Sequence, residues 1–113
     1  MAADCIFCKI GSGEIPADLV YQDSEFVAFH DIAAQAPVHL IIIPKVHAES
    51  IMASSASEMI GRAVPIIQSL SRKFSIDNAG FRIVINTGAD GGQSVFHLHI
   101  HLLGGRFMQW PPG

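Results

Sequence analysis

The segment His97-Leu98-His99-Ile100-His101-Leu102-Leu103 limits most sharply what this chain can fold into. Polar and apolar residues alternate with period two, the period of a β-strand that buries one face. Leu98, Ile100 and Leu102 must then enter a core, while His97, His99 and His101 line the opposite face. Neighbouring imidazoles on such a face stand roughly 6.6–6.8 Å apart, at a rise of about 3.3–3.4 Å per residue. Two of them can touch one phosphate group. A merely solvated face would be served as well by Thr, Lys or Glu, so three histidines in register ask for a chemical use. Neutral imidazole is also the commonest protein metal ligand. The segment carries no carboxylate, which argues against metal binding as its main purpose.

The preceding loop, Gly88-Ala89-Asp90-Gly91-Gly92-Gln93-Ser94-Val95, points the same way. Adjacent glycines let backbone approach a ligand closely, and exposed N–H groups in such a turn make an anion-binding nest. Gln93 and Ser94 add side-chain donors. Alone, Gly-Gly-Gln-Ser describes a plain turn. Followed by three same-face histidines, it sets donors for phosphate oxygens beside a nucleophile for phosphorus.

The rest of the chain supplies a scaffold. At 113 residues, half of them apolar and 15% charged, it makes one compact domain over residues 1–113. Leu19-Val20-Tyr21 and Phe26-Val27-Ala28-Phe29 read as strands joined by a hairpin at Gln22–Glu25. His39–Ile43 is a third strand, stopped by Pro44. Ser55-x-x-Glu58 has the pattern of a capping box, after which Met59, Ala63, Ile66, Ile67, Leu70 and Phe74 share one helical face. Pro65 lies inside that helix and deletes the bond to the Gly61 carbonyl, which predicts a kink. Phe81–Asn86 and His97–Leu103 are two further strands, and Phe7–Ile10 is a short helical turn ended by Gly11-Ser12-Gly13. The expected class is α+β: a five-stranded, mainly antiparallel sheet with one long and one short helix.

Several functions are excluded. Seven basic against ten acidic side chains give a formal charge of -3, so a broad grip on nucleic acid is not expected. A small phosphorylated ligand stays open, because backbone N–H groups can hold it. The longest aliphatic run, Leu40–Ile43, is far too short to span a bilayer. The segment MAADCIFCKI lacks a basic patch followed by an apolar stretch, so no secretory signal is expected. The only cysteines are Cys5 and Cys8, a pair too close in sequence to staple a fold. On its own this Cys-x-x-Cys fits two small buried residues equally well. Together these features describe a reduced, cytoplasmic enzyme or binding domain.

The run Gly92-Gln93-Ser94-Val95-Phe96-His97-Leu98-His99-Ile100-His101-Leu102-Leu103 resembles the histidine triad (HIT) motif, His-φ-His-φ-His-φ-φ with φ apolar. The ending Gly104-Gly105-Arg106 through Trp110-Pro111-Pro112-Gly113 is similar to the Hint branch of that family. So are Ile6-Phe7-x-Lys9-Ile10, Phe29-His30-Asp31-Ile32, Gln35-Ala36-Pro37 and Ile43-Pro44-Lys45. The resemblance implies a HIT-like fold in a homodimer whose two sheets join into one. It implies hydrolysis of purine nucleoside phosphoramidates at the α-phosphate, releasing AMP or GMP and an amine, with no cofactor required for catalysis.

Carried over by motif position, His99 is the nucleophile that becomes nucleotidylated and His101 contacts the α-phosphate. His39 and His97 support the relay that orients the nucleophile, and Ser94 passes a proton to the departing amine. Asn86, Gly92, Gln93 and Ser94 hold the phosphate and leaving-group side. Asp31 binds the ribose hydroxyls, while Phe7, Ile10, His30 and Ile32, with Ile6, Phe29 and Ile41, wall the base. In HIT relatives that bind zinc, a cysteine pair is joined by the histidine after Pro-Lys-x, here His47, and by the first triad histidine, His97. Cys5, Cys8, His47 and His97 would thus make a tetrahedral structural zinc site, which would reduce His97 to positioning. Three other readings remain open: a nucleotide-binding regulatory module, a hydrolase with a catalytic ion on His97, His99 and His101, and a dinucleoside polyphosphate hydrolase.

Overall fold

The computed structural model describes residues 4–113. Its elements in chain order are α1 (Ile6–Ser12), β1 (Leu19–Gln22), β2 (Phe26–His30), β3 (Val38–Pro44), α2 (Ala56–Lys73), β4 (Phe81–Val84) and β5 (Ile100–Gly104). The strands form one sheet in the order β1-β2-β3-β5-β4, and every pairing is antiparallel. The five-stranded α+β architecture with one long and one short helix is therefore present. The first hairpin is shaped by Asp23, whose Oδ1 accepts from the backbone N–H groups of Glu25 and Phe26, each at 2.7 Å.

β2 and β3 are buried on both faces, which explains why they read as continuous apolar runs. Phe26, Ala28, Leu40 and Ile42 join Ile100 and Leu102 of β5 and Ala63, Ile66, Ile67 and Leu70 of α2 in one core. Val27, Phe29, Ile41 and Ile43 point the other way and pack with Phe7 and Ile10 of α1. Each such large side chain contributes about 1.5–3 kcal/mol by leaving water. His101 pairs with Ile41 across β5 and β3, so it lies on the α1 side of the sheet, and so does His39.

Three expectations need correction. The capping box does not form: Ser55 has helical backbone angles (φ -80, ψ -8) and makes no side-chain cap bond. Turns bonded from Ser50 to Ala53 and from Ala53 to Ala56 deliver the chain into α2 already coiled. Its Ser55 hydroxyl thus lacks the extended backbone from which a cap reaches the third amide. Glu58 pairs with Arg62 one turn along the helix. α2 continues through Pro65, which lies on its exposed side.

The last two corrections concern strand ends: β4 stops at Val84 rather than Asn86, and β5 begins at Ile100 rather than His97. Ile100 pairs with Ile42, so the next step outward would set Leu98 opposite Pro44, which has no N–H to give. The Leu98 N–H instead donates to the Ala48 carbonyl at 2.6 Å. Leu98 still buries, against Ala48 and Ala56. No helix of the described residues is long and apolar enough to cross a membrane.

Candidate functional site

His97 and His99 sit on an irregular segment just before β5, and that segment is tied to the stretch after β3. Besides the Leu98 bond, the Gln93 side-chain amide donates to the Glu49 carbonyl at 2.7 Å and His97 Nε2 donates to the Pro44 carbonyl at 2.8 Å. Gln93 also donates to the Val95 carbonyl, while its Oε1 accepts from the Gly88 N–H. This buried amide therefore has both donors spent on backbone carbonyls, those of Glu49 and Val95, and ties the glycine loop to the stretch after β3. Gly88 and Gly92 have positive φ. Gly91 is required for a different reason: a Cβ there would stand 2.4 Å from the Thr87 carbonyl oxygen. Ser94 beside it is exposed, and Asn86 is half-buried.

Backbone groups fix the hydrogen positions on the histidines. His99 Nδ1 lies 2.6 Å from the His97 carbonyl oxygen, which can only accept, so Nδ1 carries the hydrogen. Nε2 of neutral His99 is then an unprotonated lone pair. On His39 the order is reversed. Its Nδ1 accepts from the Gln35 N–H at 3.0 Å, leaving the hydrogen on Nε2, which lies 2.9 Å from His101 Nδ1 and 3.3 Å from Asp31 Oδ2. His101 thereby accepts at Nδ1 and presents Nε2–H. Burial holds His39 below its ordinary value, with Asp31 pulling the other way. Burial, then the neighbouring His99 and His39, push His101 down to about 4, again against Asp31. His99 and His101 stand with ring centroids 5.0 Å apart.

His97 belongs to a different group. Its Nδ1 lies 3.3 Å from Cys5 Sγ, 3.5 Å from Cys8 Sγ and 3.2 Å from His47 Nδ1, and Cys8 Sγ lies 3.3 Å from His47 Nδ1. All four ligand atoms lie within 4.8 Å of one another. A tetrahedral zinc ion about 2.0–2.1 Å from nitrogen and about 2.3 Å from sulfur needs its ligands roughly 3.3–3.8 Å apart. The quartet fits, and the His97 Nε2–H bond to Pro44 supplies the outer contact that orients a metal-binding imidazole. Burial also lowers the His97 basicity. The cluster could therefore hold a metal. Asp31, His39 and His101 form a second ligand-capable set. An ion shared by His97, His99 and His101 is not what the geometry offers, because His97 turns its Nδ1 to the sulfurs and gives its Nε2–H to the Pro44 carbonyl, leaving no lone pair for such a site.

The expected base wall is only partly assembled. Phe7 is buried edge-on to His99 at 5.0 Å and to His97 at 6.0 Å, and Ile10 packs beneath it. Ile32 projects fully into solvent next to Asp31. His30 departs from expectation: its ring packs edge-on to Phe74 at 5.7 Å. The reason is strand alternation, since His30 follows Phe26 and Ala28 onto the α2 side. What motif reading missed are the Gln35 N–H and the Pro44 and His97 carbonyls. They are backbone groups, so no side-chain identity signals them.

Comparison with known proteins agrees with this architecture. The profile of the HIT domain family matches residues 12–108. A HIT-like protein of Synechococcus elongatus is 46% identical over 115 residues, covering 100% of both chains. The 14 kDa zinc-binding protein of Brassica juncea is 46% identical over 114 residues, covering 97% of this chain and all of that one. The crystal structure of a HIT family hydrolase from Legionella pneumophila superposes with a TM-score of 0.92 at 46% identity, over 97% of this chain and 100% of the other.

Proposed function

The chain belongs to the HIT domain family, and from that premise we propose that it is a Hint-branch nucleoside phosphoramidase acting at the α-phosphate of purine nucleoside monophosphate derivatives. Kinship with a HIT family hydrolase supports the broader class of hydrolase. The observation that carries the finer reading is the 2.6 Å bond from His99 Nδ1–H to the His97 carbonyl, which leaves Nε2 as an oriented nucleophile.

In this reading His99 Nε2 attacks the α-phosphorus, a P–N bond to histidine forms and the substrate P–N bond breaks. The amine departs with a proton relayed by Ser94, whose exposed hydroxyl lies at the end of the glycine loop. Water then cleaves the nucleotidyl-histidine, itself a phosphoramidate, and returns His99. Charge gathering on the phosphoryl oxygens meets His101 Nε2–H and the N–H groups around Gly92 and Ser94. A neutral His101 can serve because its donor hydrogen is set by His39 rather than by protonation. Asp31 retains lone pairs beyond its bonds to Ala33 N–H and His39, which suit ribose hydroxyls. Ile32 and Phe7 flank the base.

Zinc, held by Cys5, Cys8, His47 and His97, would cross-link α1 to the loop before β5 and take no part in bond breaking. The zinc-binding name of the Brassica juncea relative supports that assignment. The homodimer belongs to the same proposal: β4 is an edge strand with Phe81 and Ile83 partly exposed, the kind of edge a second copy would cover. So does residence in the cytoplasm.

The test is steady-state hydrolysis of an adenosine phosphoramidate bearing a fluorogenic amine, comparing wild type with His99→Ala, each with and without chelator. Loss of turnover in the mutant but not in the chelator is expected. Equal rates in mutant and wild type would leave a nucleotide-binding module as the better description.

A further inference from the structure

Two contacts connect the cysteine quartet to the nucleophile. His97 gives its ring to the quartet and its carbonyl to His99 Nδ1. Phe7 lies between the two cysteines in sequence and rests its ring edge-on against both His97 and His99. Anything that rearranges the first turn of α1 therefore reaches His99 by two routes. The quartet can be closed around an ion, or by thiol S–H groups donating to the two Nδ1 atoms at 3.3 Å. A disulfide offers neither a ligand thiolate nor an S–H donor, and it draws the two sulfurs to about 2.05 Å.

We propose that Cys5 and Cys8 are a reversible oxidation site, and that closing their disulfide releases the metal and unseats His99. This rests on the reading of His99 as nucleophile. Cys5 is half-buried and Cys8 fully buried, so a small oxidant such as hydrogen peroxide meets Cys5 first. The Cys5 thiolate attacks one peroxide oxygen, the O–O bond breaks, and a sulfenic acid and hydroxide result. The Cys8 thiolate then attacks Cys5 Sγ, forming the S–S bond and expelling a second hydroxide. Two protons from solvent turn the hydroxides to water. The sulfurs lose two electrons, peroxide gains them, and the metal leaves as a divalent cation. Sγ atoms within 4.8 Å of each other and three residues apart on one helical turn can meet without unfolding the sheet.

The experiment titrates the zinc-loaded protein with hydrogen peroxide and reads four quantities. These are intact mass, zinc captured by a chromogenic chelator, phosphoramidate turnover, and modification of His99 by diethyl pyrocarbonate. The expected result is a loss of about 2 Da with release of zinc. Turnover should fall about tenfold or more, and the rate of His99 modification should change with it. Dithiothreitol with added zinc should restore all four. Chelator alone should leave most of the turnover, since thiols still bridge the imidazoles, and Cys5→Ala should show no 2 Da loss. A gain of about 32 Da on one cysteine in place of the disulfide would overturn the proposal. Disulfide formation with turnover and His99 reactivity unchanged would also overturn it, as would chelation that abolishes turnover as completely as peroxide. A reduced protein without phosphoramidase activity would defeat the assigned reaction alone. Mass, zinc and His99 reactivity would still decide the oxidation site.

Discussion

Replacing His39 tests the chain of hydrogens that gives His101 its donor. Gln35 N–H to His39 Nδ1 at 3.0 Å and His39 Nε2–H to His101 Nδ1 at 2.9 Å together force His101 to present Nε2–H. In His39→Ala nothing holds that order. His101 Nδ1–H can swing to Asp31 Oδ2, now 3.9 Å away, and Nε2 then turns a lone pair toward the phosphate oxygens of the proposed substrate. A hydrogen bond to a charged group is lost, worth about 1.5–3 kcal/mol, or roughly 10- to 150-fold in rate. The fall should appear in kcat more than in KM, because the bond strengthens as charge builds on phosphorus.

His39→Gln separates the two halves of this reasoning. Its amide N–H can reach His101 Nδ1, so it should recover a large part of kcat, although it offers the Gln35 N–H a poorer partner. Both variants weaken the part-buried bond from the Gln35 N–H, at about 0.5–1.5 kcal/mol of stability, so thermal melts must accompany the kinetics. A folded His39→Ala protein with wild-type kcat would refute the relay. Equal losses in Ala and Gln would show that His39 acts through packing.

Three further outcomes follow. Gly91→Ala places a Cβ 2.4 Å from the Thr87 carbonyl, so denaturant unfolding should show a loss of about 1–3 kcal/mol and kcat should drop; an unperturbed variant would mean that the loop relaxes freely. The His101 proton affinity predicts acid sensitivity. The unfolded chain takes up that proton near pH 6.5 and the folded chain only near 4, so stability should fall as pH drops through that window and be insensitive above it. Melting temperatures should show the slope, which His101→Asn should flatten. His30→Ala should leave kcat/KM within about twofold while costing about 0.5–1.5 kcal/mol, the worth of its edge contact with Phe74. A large kinetic effect would return His30 to the pocket.

The sheet was legible because β2, β3 and β5 carry long apolar or alternating runs, and burial enforces their pattern whatever surrounds them. The ends of elements were less so. Reading Ser55 as a cap assumes an extended backbone, and two successive bonded turns, Ser50 to Ala53 and Ala53 to Ala56, decided otherwise. Extending β5 back to His97 assumes a partner that can donate, and Pro44 cannot. His30 was placed by its motif neighbours, whereas strand alternation places its ring on Phe74.

The deeper gap concerns the triad itself. Period-two spacing makes His97, His99 and His101 equivalent, and the folded chain makes them three different reagents. A proline carbonyl and two sulfurs bind His97 at both nitrogens. The His97 carbonyl takes the Nδ1 hydrogen of His99, and a hydrogen passed from His39 closes His101 Nδ1. Only His99 is left with a lone pair to offer, and only His101 with a neutral donor beside it. That division depends on carbonyls and amides whose positions follow from the sheet register and from the break at Pro44. A substitution that restored the ladder there, such as Pro44→Val, should extend β5 toward Leu98 and compete for the N–H now given to Ala48. The cost should fall on His99 before it falls on the fold, as lost kcat in a protein that still melts cooperatively. Retained kcat in a variant whose Leu98 amide shows strand-like exchange protection would mean that the irregular segment is not what sets His99.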